Sequence, residues 1–491
     1  MRVLLVYPDF PDTFWSFKYA LKFISKKAAY PPLGLLTVAA LLPENWEKKL
    51  IDMNVENLCT SDLVWADYVL ISAMSLQSNS VGKIVSICKK AGTKIVAGGP
   101  LFTAWPEKYN CIDHLVLGEA ELTLPMFLAD VENGCPKHIY TTSEFADITH
   151  TPKPLFSLVD MKKYASMNLQ YSRGCPFNCE FCDIVVLFGR RPRLKTQQQV
   201  IEELQSLYEL GWRGGVFFVD DNFIGNRDKL KKEILPAVIE WSMQRDYPFS
   251  FHTEASLNIA DDDELMALMV KAGFEMVFIG IESPNEDSLT ECNKHQNKNR
   301  DIIACIDKIQ KCGLHVEGGF ILGFDSDPES IFDTLIRFVQ QSGIVVAMVG
   351  LLNAPRGTKL FQRLEKEKRL TTTFSGDNTD CSMNFTPKMD YDKLIQGYQR
   401  VIHTIYSPDH YYRRVMRYLE EYGRKQLHKS KIHWHDIAAF FKSVFKFGIF
   451  GKERLWYWRL LWRILTKNPS QFPKAVAYSI YGYHFRKIYK I

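Results

Sequence analysis

The sequence predicts an α/β protein in three parts: an N-terminal doubly wound Rossmann-like domain, a central partial (β/α)6 barrel and a mostly helical C-terminal region. Three observations carry this. Apolar runs of strand length alternate with helical segments over residues 1–130, and again over 167–354. A proline-bearing stretch without periodicity separates the two alternations, and beyond about residue 366 strand patterning stops. A chain of 491 residues has room for about three domains of roughly 150 residues. We place the first domain at 1–135, a linker at 136–165, the barrel at 166–365 and the helical region at 366–491.

In the first part RVLLVYP, DYVLISAM, TKIVAGGP and DHLVLGEA read as buried parallel strands bounded by Pro, Gly or acidic turns. Helical stretches at 33–42 and 81–92 lie between them, the second stopped by Gly92. This alternation is that of an open doubly wound sheet. In the second part six strands are expected: MNLQYSRG, GGVFFVDDN, FSFHTEA, EMVFIGIES, HVEGGFILGF and VVAMVGLLNA. Helices such as 197–211 and 301–313 separate them. Six strand–helix units suit an incomplete parallel barrel, whose chemistry sits at the C-terminal ends of its strands. Arg173, Asp220, Asp221, Glu254, Glu282 and Asp325 each end an apolar run there, more polar endings than chance supplies to an inert barrel.

Composition narrows the class. Hydrophobic residues make up 46% and charged residues 24%, ordinary values for a globular protein. No apolar run reaches the 18 residues of a membrane span, and the apolar stretch in MRVLLVYPDF is too short for a secretory signal. A cytoplasmic location is therefore expected. The net charge of +5 conceals an asymmetry: residues 411–491 hold 18 Lys and Arg against 4 Asp and Glu, while the remainder is acidic.

Eleven cysteines in a cytosolic chain point to metal or redox chemistry more than to disulfides. Eight are scattered without ligand spacing and read as small apolar fillers or surface thiols. The other three, Cys175, Cys179 and Cys182, form Cys-x3-Cys-x2-Cys in the loop after the first barrel strand. Soft thiolates suit an iron–sulfur cluster or zinc. A structural zinc site is usually closed by four ligands in two spaced pairs, and no second pair follows. A cubane cluster normally takes four cysteines, so three would leave one iron open to an exogenous chelating ligand.

This motif resembles that of the radical S-adenosylmethionine (SAM) superfamily, whose fold is a partial barrel. The resemblance implies that the open iron binds the amine and carboxylate of SAM, whose cleavage gives methionine and a hydrogen-abstracting radical. It places Phe181 near the adenine, Asp220 and Asp221 in Val219-Asp-Asp-Asn-Phe223 near the methionyl amine, and Glu254 and Glu282 at ribose and methionyl contacts. Gly318 and Gly319 stand on the strand that passes the adenine. An electron donor such as flavodoxin or ferredoxin is implied as a partner.

The N-terminal domain resembles the cobalamin-binding domain of one radical subclass. Asp52 and Asn54 follow its second strand, Ser72 and Met74 end its third, and Gly98 and Gly99 end its fourth, where small residues let the cofactor's tail approach backbone. Asn54 stands where some cobalamin proteins carry a cobalt-ligating histidine, so no lower ligand is expected from this loop. No Gly-x-Gly-x-x-Gly follows the first strand, which disfavours a dinucleotide. Gly118-Glu-Ala-Glu121 reads either as a face toward the barrel or as a plain carboxylate pair at a helix N-terminus.

Ser375-Gly-Asp-Asn-Thr-Asp380, together with the cysteine and VDDN segments, resembles the branch of hopanoid C-2 methylase-like proteins. That implies a cobalamin-dependent radical SAM C-methyltransferase acting on an unactivated carbon of a lipid or other apolar substrate. A cyclase or rearrangement enzyme using the same cofactors stays open. A cobalamin- or redox-sensing binding protein would leave the acidic strand ends without a purpose. In the tail, Arg459, Arg463 and Lys467 fall on one helical stripe flanked by Trp458 and Trp462, the make-up of an interfacial helix or of a basic helical subdomain. Peripheral contact of 411–491 with the inner face of a membrane is expected; no nucleic-acid module accompanies the basic patch, and nucleic acid is not expected as a partner.

Overall fold

A computed structural model of the chain describes residues 1–372, 374–377, 379–422 and 434–491. Asn378 of the Ser375–Asp380 segment and residues 423–433 of the basic tail lie outside the described residues. The first sheet has six parallel strands: β1 (Arg2–Tyr7), β2 (Glu47–Asp52), β3 (Tyr68–Ser72), β4 (Lys94–Gly98), β5 (His114–Val116) and β6 (Ile139–Tyr140). Their order is β2-β1-β3-β4-β5-β6. Both faces are covered by helices, so β1 and β3 read as unbroken apolar runs with Val3 to Val6 and Val69 to Ile71 buried. The order reverses between β1 and β3, which opens a crevice at the carboxyl ends of these strands.

β6 falls inside the stretch expected as a linker. It is two residues long, below what any periodicity can register, and pairs with β5 through Leu115 and Val116. The rest of that stretch is three short 3-10 turns tied back onto the first domain. The Tyr164 hydroxyl donates to Asp52 at 3.0 Å, and Ala165 N–H to the Ala28 carbonyl at 3.0 Å.

The six expected barrel strands are present, the first as β7 (Ser166–Leu169) and the others as β10 (Gly215–Phe218), β11 (Ser250–Ala255), β12 (Phe274–Glu282), β13 (His315–Leu322) and β14 (Ala347–Leu351), with two short strands, β8 (Ser172–Arg173) and the unexpected β9 (Arg193–Leu194), between β7 and β10 in the chain. β7 and β10 to β14 form one parallel sheet in the order β14-β13-β12-β11-β10-β7. MNLQYSRG is divided: β7 ends at Leu169, and β8 pairs antiparallel with β9. The division has a cause. The Asp220 carboxylate takes the N–H groups of Tyr171 and Ser172, so the chain leaves the sheet at that point.

Beyond Lys366 the order is helical, at 391–406, 408–421, 434–443, 454–467 and 472–488. These helices pack against the starts of β13 and β14, at the floor of the barrel. His315 of β13 lies 4.5 Å from Tyr418 and 5.4 Å from Tyr478, centroid to centroid. Arg414 is buried, donating to Gln340 Oε1 at 2.6 Å and to the Ile405 carbonyl at 3.0 Å. Among the described residues no helix is long and apolar enough to cross a membrane. Helix 472–488 passes so close to Tyr411 that a Cβ at Gly482 would strike its ring. Gly482→Ala is expected to destabilise the protein by about 1–3 kcal/mol, measured as a lowered Tm, whereas Ala477→Gly, at a half-buried position of the same helix, should cost about 1 kcal/mol, mostly of propensity.

Candidate active site

The cysteine loop is fixed from several sides. Gly174 has φ +91°, and a Cβ there would come within 2.9 Å of the Gly189 carbonyl, so the tight turn before Cys175 requires glycine. Cys175 N–H donates to that carbonyl at 3.3 Å. Asp220 accepts from Tyr171 N–H, Ser172 N–H and the Ser172 hydroxyl; Asp221 accepts from Gly174 N–H at 3.0 Å. Glu180, between two of the cysteines, pairs with Arg363 at 2.8 Å and takes its backbone partners from Cys292 and Leu360. Asp325 is not in this group: it is ion-paired with Arg363 and Arg369.

The three thiols are half-buried. Burial pushes Cys175 and Cys182 up from the usual thiol value, while the Lys294 ammonium opposes it. Among the described residues no three His, Cys, Asp or Glu converge as a single ion would need. Three half-buried thiols on one loop, beside the Lys294 ammonium, supply the soft donor set that an iron–sulfur cluster takes. Two residues that the sequence did not single out stand beside the thiols. Gln296 Nε2 lies 3.9 Å from Cys179 Sγ. Lys294 is buried and donates to Glu282 at 2.6 Å; burial alone would lower its pKa, but Glu282 and the cysteines outweigh that and keep it charged. Neither sits in a motif, and no periodicity would have found them.

Glu282 occupies the left-handed region at φ +67°, a conformation costing about 1–3 kcal/mol in a non-glycine residue. A Cβ on Gly280 would collide with its carboxylate. Gly318 and Gly319 serve packing as well: a Cβ on Gly319 would lie 2.7 Å from the Phe278 ring, and one on Gly318 would press on Ile344 and Phe320 at 3.0 Å. The Phe181 ring packs near Phe324 at 6.4 Å.

Inside the barrel the exposure pattern is informative. Along β11, His252 and Glu254 are half-buried while Phe251, Thr253 and Ala255 are buried. β10 and β12 alternate likewise, with Phe217, Met276 and Phe278 half-buried. Helices cover the outer face of these strands, so the half-buried set faces an accessible interior. Its walls are mainly apolar. Two residues of the N-terminal domain enter it: Tyr30 shares a hydrogen bond with His252 Nε2 at 3.1 Å, and Trp15 meets the Phe278 ring edge-on at 5.4 Å. Burial pushes Glu254 up to about 8, aided by Asp221 and Asp220, and Glu317 up to about 8. His252 is pulled down to about 4 by burial and is neutral.

The first sheet turns its carboxyl edge toward this loop. Arg173 donates to Glu119 at 2.8 Å and to Glu121 at 2.7 Å; Arg193 donates to Glu119 at 2.7 Å. All four side chains are largely buried. Gly118-Glu-Ala-Glu121 therefore faces the barrel. On the same edge both Asp52 oxygens are engaged, by Asn54 and Tyr164. Asn54 is held in place by bonds to Asp52, the Pro8 carbonyl and Phe10 N–H, so its side chain braces the loop. A Cβ on Gly98 would lie 2.6 Å from the Val116 carbonyl, and one on Gly99 2.7 Å from Ser72 Oγ. Met74 is 43% exposed over the crevice. A bare backbone edge with an exposed apolar side chain fits a large flat cofactor.

Three family models match the chain: the B12 binding domain over residues 24–128, the Radical SAM superfamily over 169–339, and a domain of unknown function (DUF4070) over 358–491. An uncharacterized methyltransferase of Synechocystis sp. is 39% identical over 490 residues, 99% of this chain and 91% of that protein. The hopanoid C-2 methylase of Rhodopseudomonas palustris is 33% identical over 482 residues, 96% and 90% of the two. In fold, the chain resembles the radical SAM methyltransferase TsrM from Kitasatospora setae, solved with cobalamin and a [4Fe-4S] cluster, at a TM-score of 0.59 and 15% identity over 74% of this chain and 75% of that one.

A cysteine loop of this kind behind a B12 binding domain defines a radical SAM enzyme, with a [4Fe–4S] cluster, SAM and cobalamin as its cofactors. The chain belongs to the cobalamin-dependent radical SAM methyltransferase family, in the hopanoid C-2 methylase-like branch.

Two outcomes test this geometry. Glu119→Ala leaves Arg173 and Arg193 as buried cations short of a partner, and is expected to cost about 3–5 kcal/mol and to lower cobalamin retention, read by denaturant melts and by absorbance after gel filtration. Glu254 and Glu317 have folded pKa values above their unfolded ones, so the folded chain holds protons that the unfolded chain has lost. Their contribution to the stability of the apo-protein is full below about pH 4 and is lost as pH rises to about 8. Urea midpoints between pH 5 and 8 should fall with pH in the wild type and fall less in an E254Q/E317Q variant.

Proposed function

We propose that this protein methylates an unactivated carbon of an apolar, lipid-class substrate, using cobalamin and SAM. The observation that carries the reading is the half-buried, mainly apolar set along the inner face of the barrel, Phe217, Met276 and Phe278 beside His252 and Glu254, with Trp15 and Tyr30 packed against it. When bound, SAM on the cluster supplies hydrogen abstraction and cobalamin supplies the methyl group. Cys175, Cys179 and Cys182 hold the cluster in this reading. Asp220 orients their loop, because its oxygens are occupied by backbone and Ser172. Asp221, with one bond to Gly174, faces the methionyl amine. Protonated Glu254 offers a donor to a sugar hydroxyl, and Glu282 is oriented by Lys294. Phe181 lies toward the adenine, and Gly318 and Gly319 let their strand pass close beside it. Met74, Ser72, Gly98 and Gly99 form the cobalamin edge, with Asp52 and Asn54 bracing the loop beside it and no cobalt ligand from Asn54.

Relatives support the substrate class: the methylase of R. palustris is named for a hopanoid. A flavodoxin- or ferredoxin-type donor supplies the electron, and residues 411–491 make peripheral contact with the membrane from the cytoplasmic side. The deciding experiment is mass spectrometry of lipid extracts from cells with and without the protein. Expected is a lipid heavier by one CH2 unit for each methyl added, absent with Cys179→Ala, which should also abolish anaerobic 5′-deoxyadenosine formation. A cyclised or rearranged product without added carbon would overturn methyl transfer. Failure of the wild type to form 5′-deoxyadenosine would indicate a sensor.

A further inference from the structure

One face of the C-terminal region is left uncovered by the fold. Among the described residues, nine of the twenty-one exposed large apolar side chains fall between Ile437 and Leu465. On helix 434–443 and its π-helical continuation 444–449 they are Ile437, Phe441, Phe445 and Ile449, one at every fourth position. On helix 454–467 they are Leu455, Trp458, Trp462 and Leu465, again on one stripe. Phe450, 69% exposed, stands at the turn between the two. The opposite faces are spent on the core through Ala439, Phe447, Tyr457 and Ile464. The stripes meet where Trp458 Nε1 donates to the Gly448 carbonyl at 3.0 Å.

The stripe of cations read from the sequence has a different role. Arg463 pairs with Glu420, Lys467 lies 3.8 Å from the same carboxylate, and Arg459 sits 5.5 Å from the Trp456 ring. Two of the three are thus turned toward the protein. The cations flanking the apolar face are others. Residues 434–467 carry seven Lys and Arg against Asp436 and Glu453, and Glu453 is held by Arg486 at 3.0 Å. Among the described residues Lys446, Lys452 and Arg454 make no ion pair with a carboxylate.

We propose that the paired stripes are a docking surface for an anionic lipid bilayer, with Phe441, Phe445, Phe450 and Trp462 entering the headgroup boundary and Lys446, Lys452 and Arg454 meeting lipid phosphates. An apolar ridge rimmed by cations, with tryptophan at the boundary, is what such an interface binds. A second copy is the poorer occupant, since self-pairing would set the same cations against one another. The inference rests on the apolar-substrate reading and gives it a route. Lys442 bonds to the carbonyls of Lys22 and Phe23 at 3.2 and 3.1 Å, which sets the hairpin against the segment that carries Trp15 and Tyr30 into the barrel.

The test uses the full chain with phosphatidylglycerol–phosphatidylcholine vesicles and with phosphatidylcholine vesicles, by sedimentation and tryptophan emission. Expected is binding to the anionic vesicles, weakened by salt, with a blue shift of emission. Phe441→Ser with Phe445→Ser, and separately Lys446→Glu with Lys452→Glu, should each weaken binding about tenfold or more with Tm unchanged. Retention of full binding by both variants would overturn the docking face while leaving the membrane reading intact. A wild type that binds no vesicles, or a dimer that the serine variant dissociates, would overturn it in favour of a packed or self-associating helical unit. Methylation of a detergent-dispersed lipid in the same preparation separates that failure from failure of the functional reading.

Discussion

Two arginines beside the cysteine loop and two glutamates at the edge of the first sheet set the geometry on which the rest depends. Arg173 bridges Glu119 and Glu121, Arg193 closes on Glu119, and Ala146 N–H satisfies a remaining lone pair at 2.8 Å. Buried charges are tolerated when their partners and hydrogen bonds are complete, and this group is nearly so. Burial would raise Glu121, but the Arg173 guanidinium outweighs it and holds the carboxylate below its usual range. Because planar guanidinium forks demand fixed directions, the pairs fix an orientation as well as a contact. The carboxyl edge of the first sheet, where a cobalamin domain binds its cofactor, is made to face the carboxyl ends of the barrel strands.

The loop is then immobilised by carboxylates that the family resemblance assigns to ligands. Asp220 is taken up by backbone N–H groups, and even so burial pushes it up to about 7. Carboxylates spent in this way leave few charges in the interior. What remains facing inward is two carboxyls that burial keeps protonated, Glu254 and Glu317, a neutral imidazole, a tyrosine and aromatic walls. Such a chamber carries little penalty for an apolar guest, because few polar groups there must lose water without recompense. It also limits the water present where a reactive carbon centre would be formed.

The C-terminal helices do two jobs with opposite faces. Inward, tyrosines and Arg414 pack against the starts of β13 and β14, where the Tyr406 hydroxyl bonds to the Ala347 carbonyl at 2.7 Å and the Tyr411 hydroxyl to that of Tyr478 at 2.7 Å. Outward, the segment from Ile437 to Leu465 keeps large apolar side chains in solvent. A domain that needed only to plug the barrel would gain nothing from the second face, which costs solubility.

The sequence by itself determined the long strands, their parallel character, the long helices and the cysteine motif, but not the two-residue strands β6, β8 and β9. All are local signals: a period of two or 3.6 residues, or three thiols within eight positions. It also marked the strand ends where polar residues gather. Only the tertiary structure decided what those residues do. Whether Glu119 caps a helix or meets the barrel depends on partners 54 and 74 positions away, and no window of sequence contains them. Asp220 and Asp221 are adjacent and chemically alike, yet one is consumed by backbone and the other only half so. The helix at 454–467 carries cations and tryptophans on neighbouring stripes, and Glu420, on another helix, decides which of them turns inward. Propensity and spacing are set by neighbours in the chain, whereas the direction a charged side chain takes is set by the charge it finds in space.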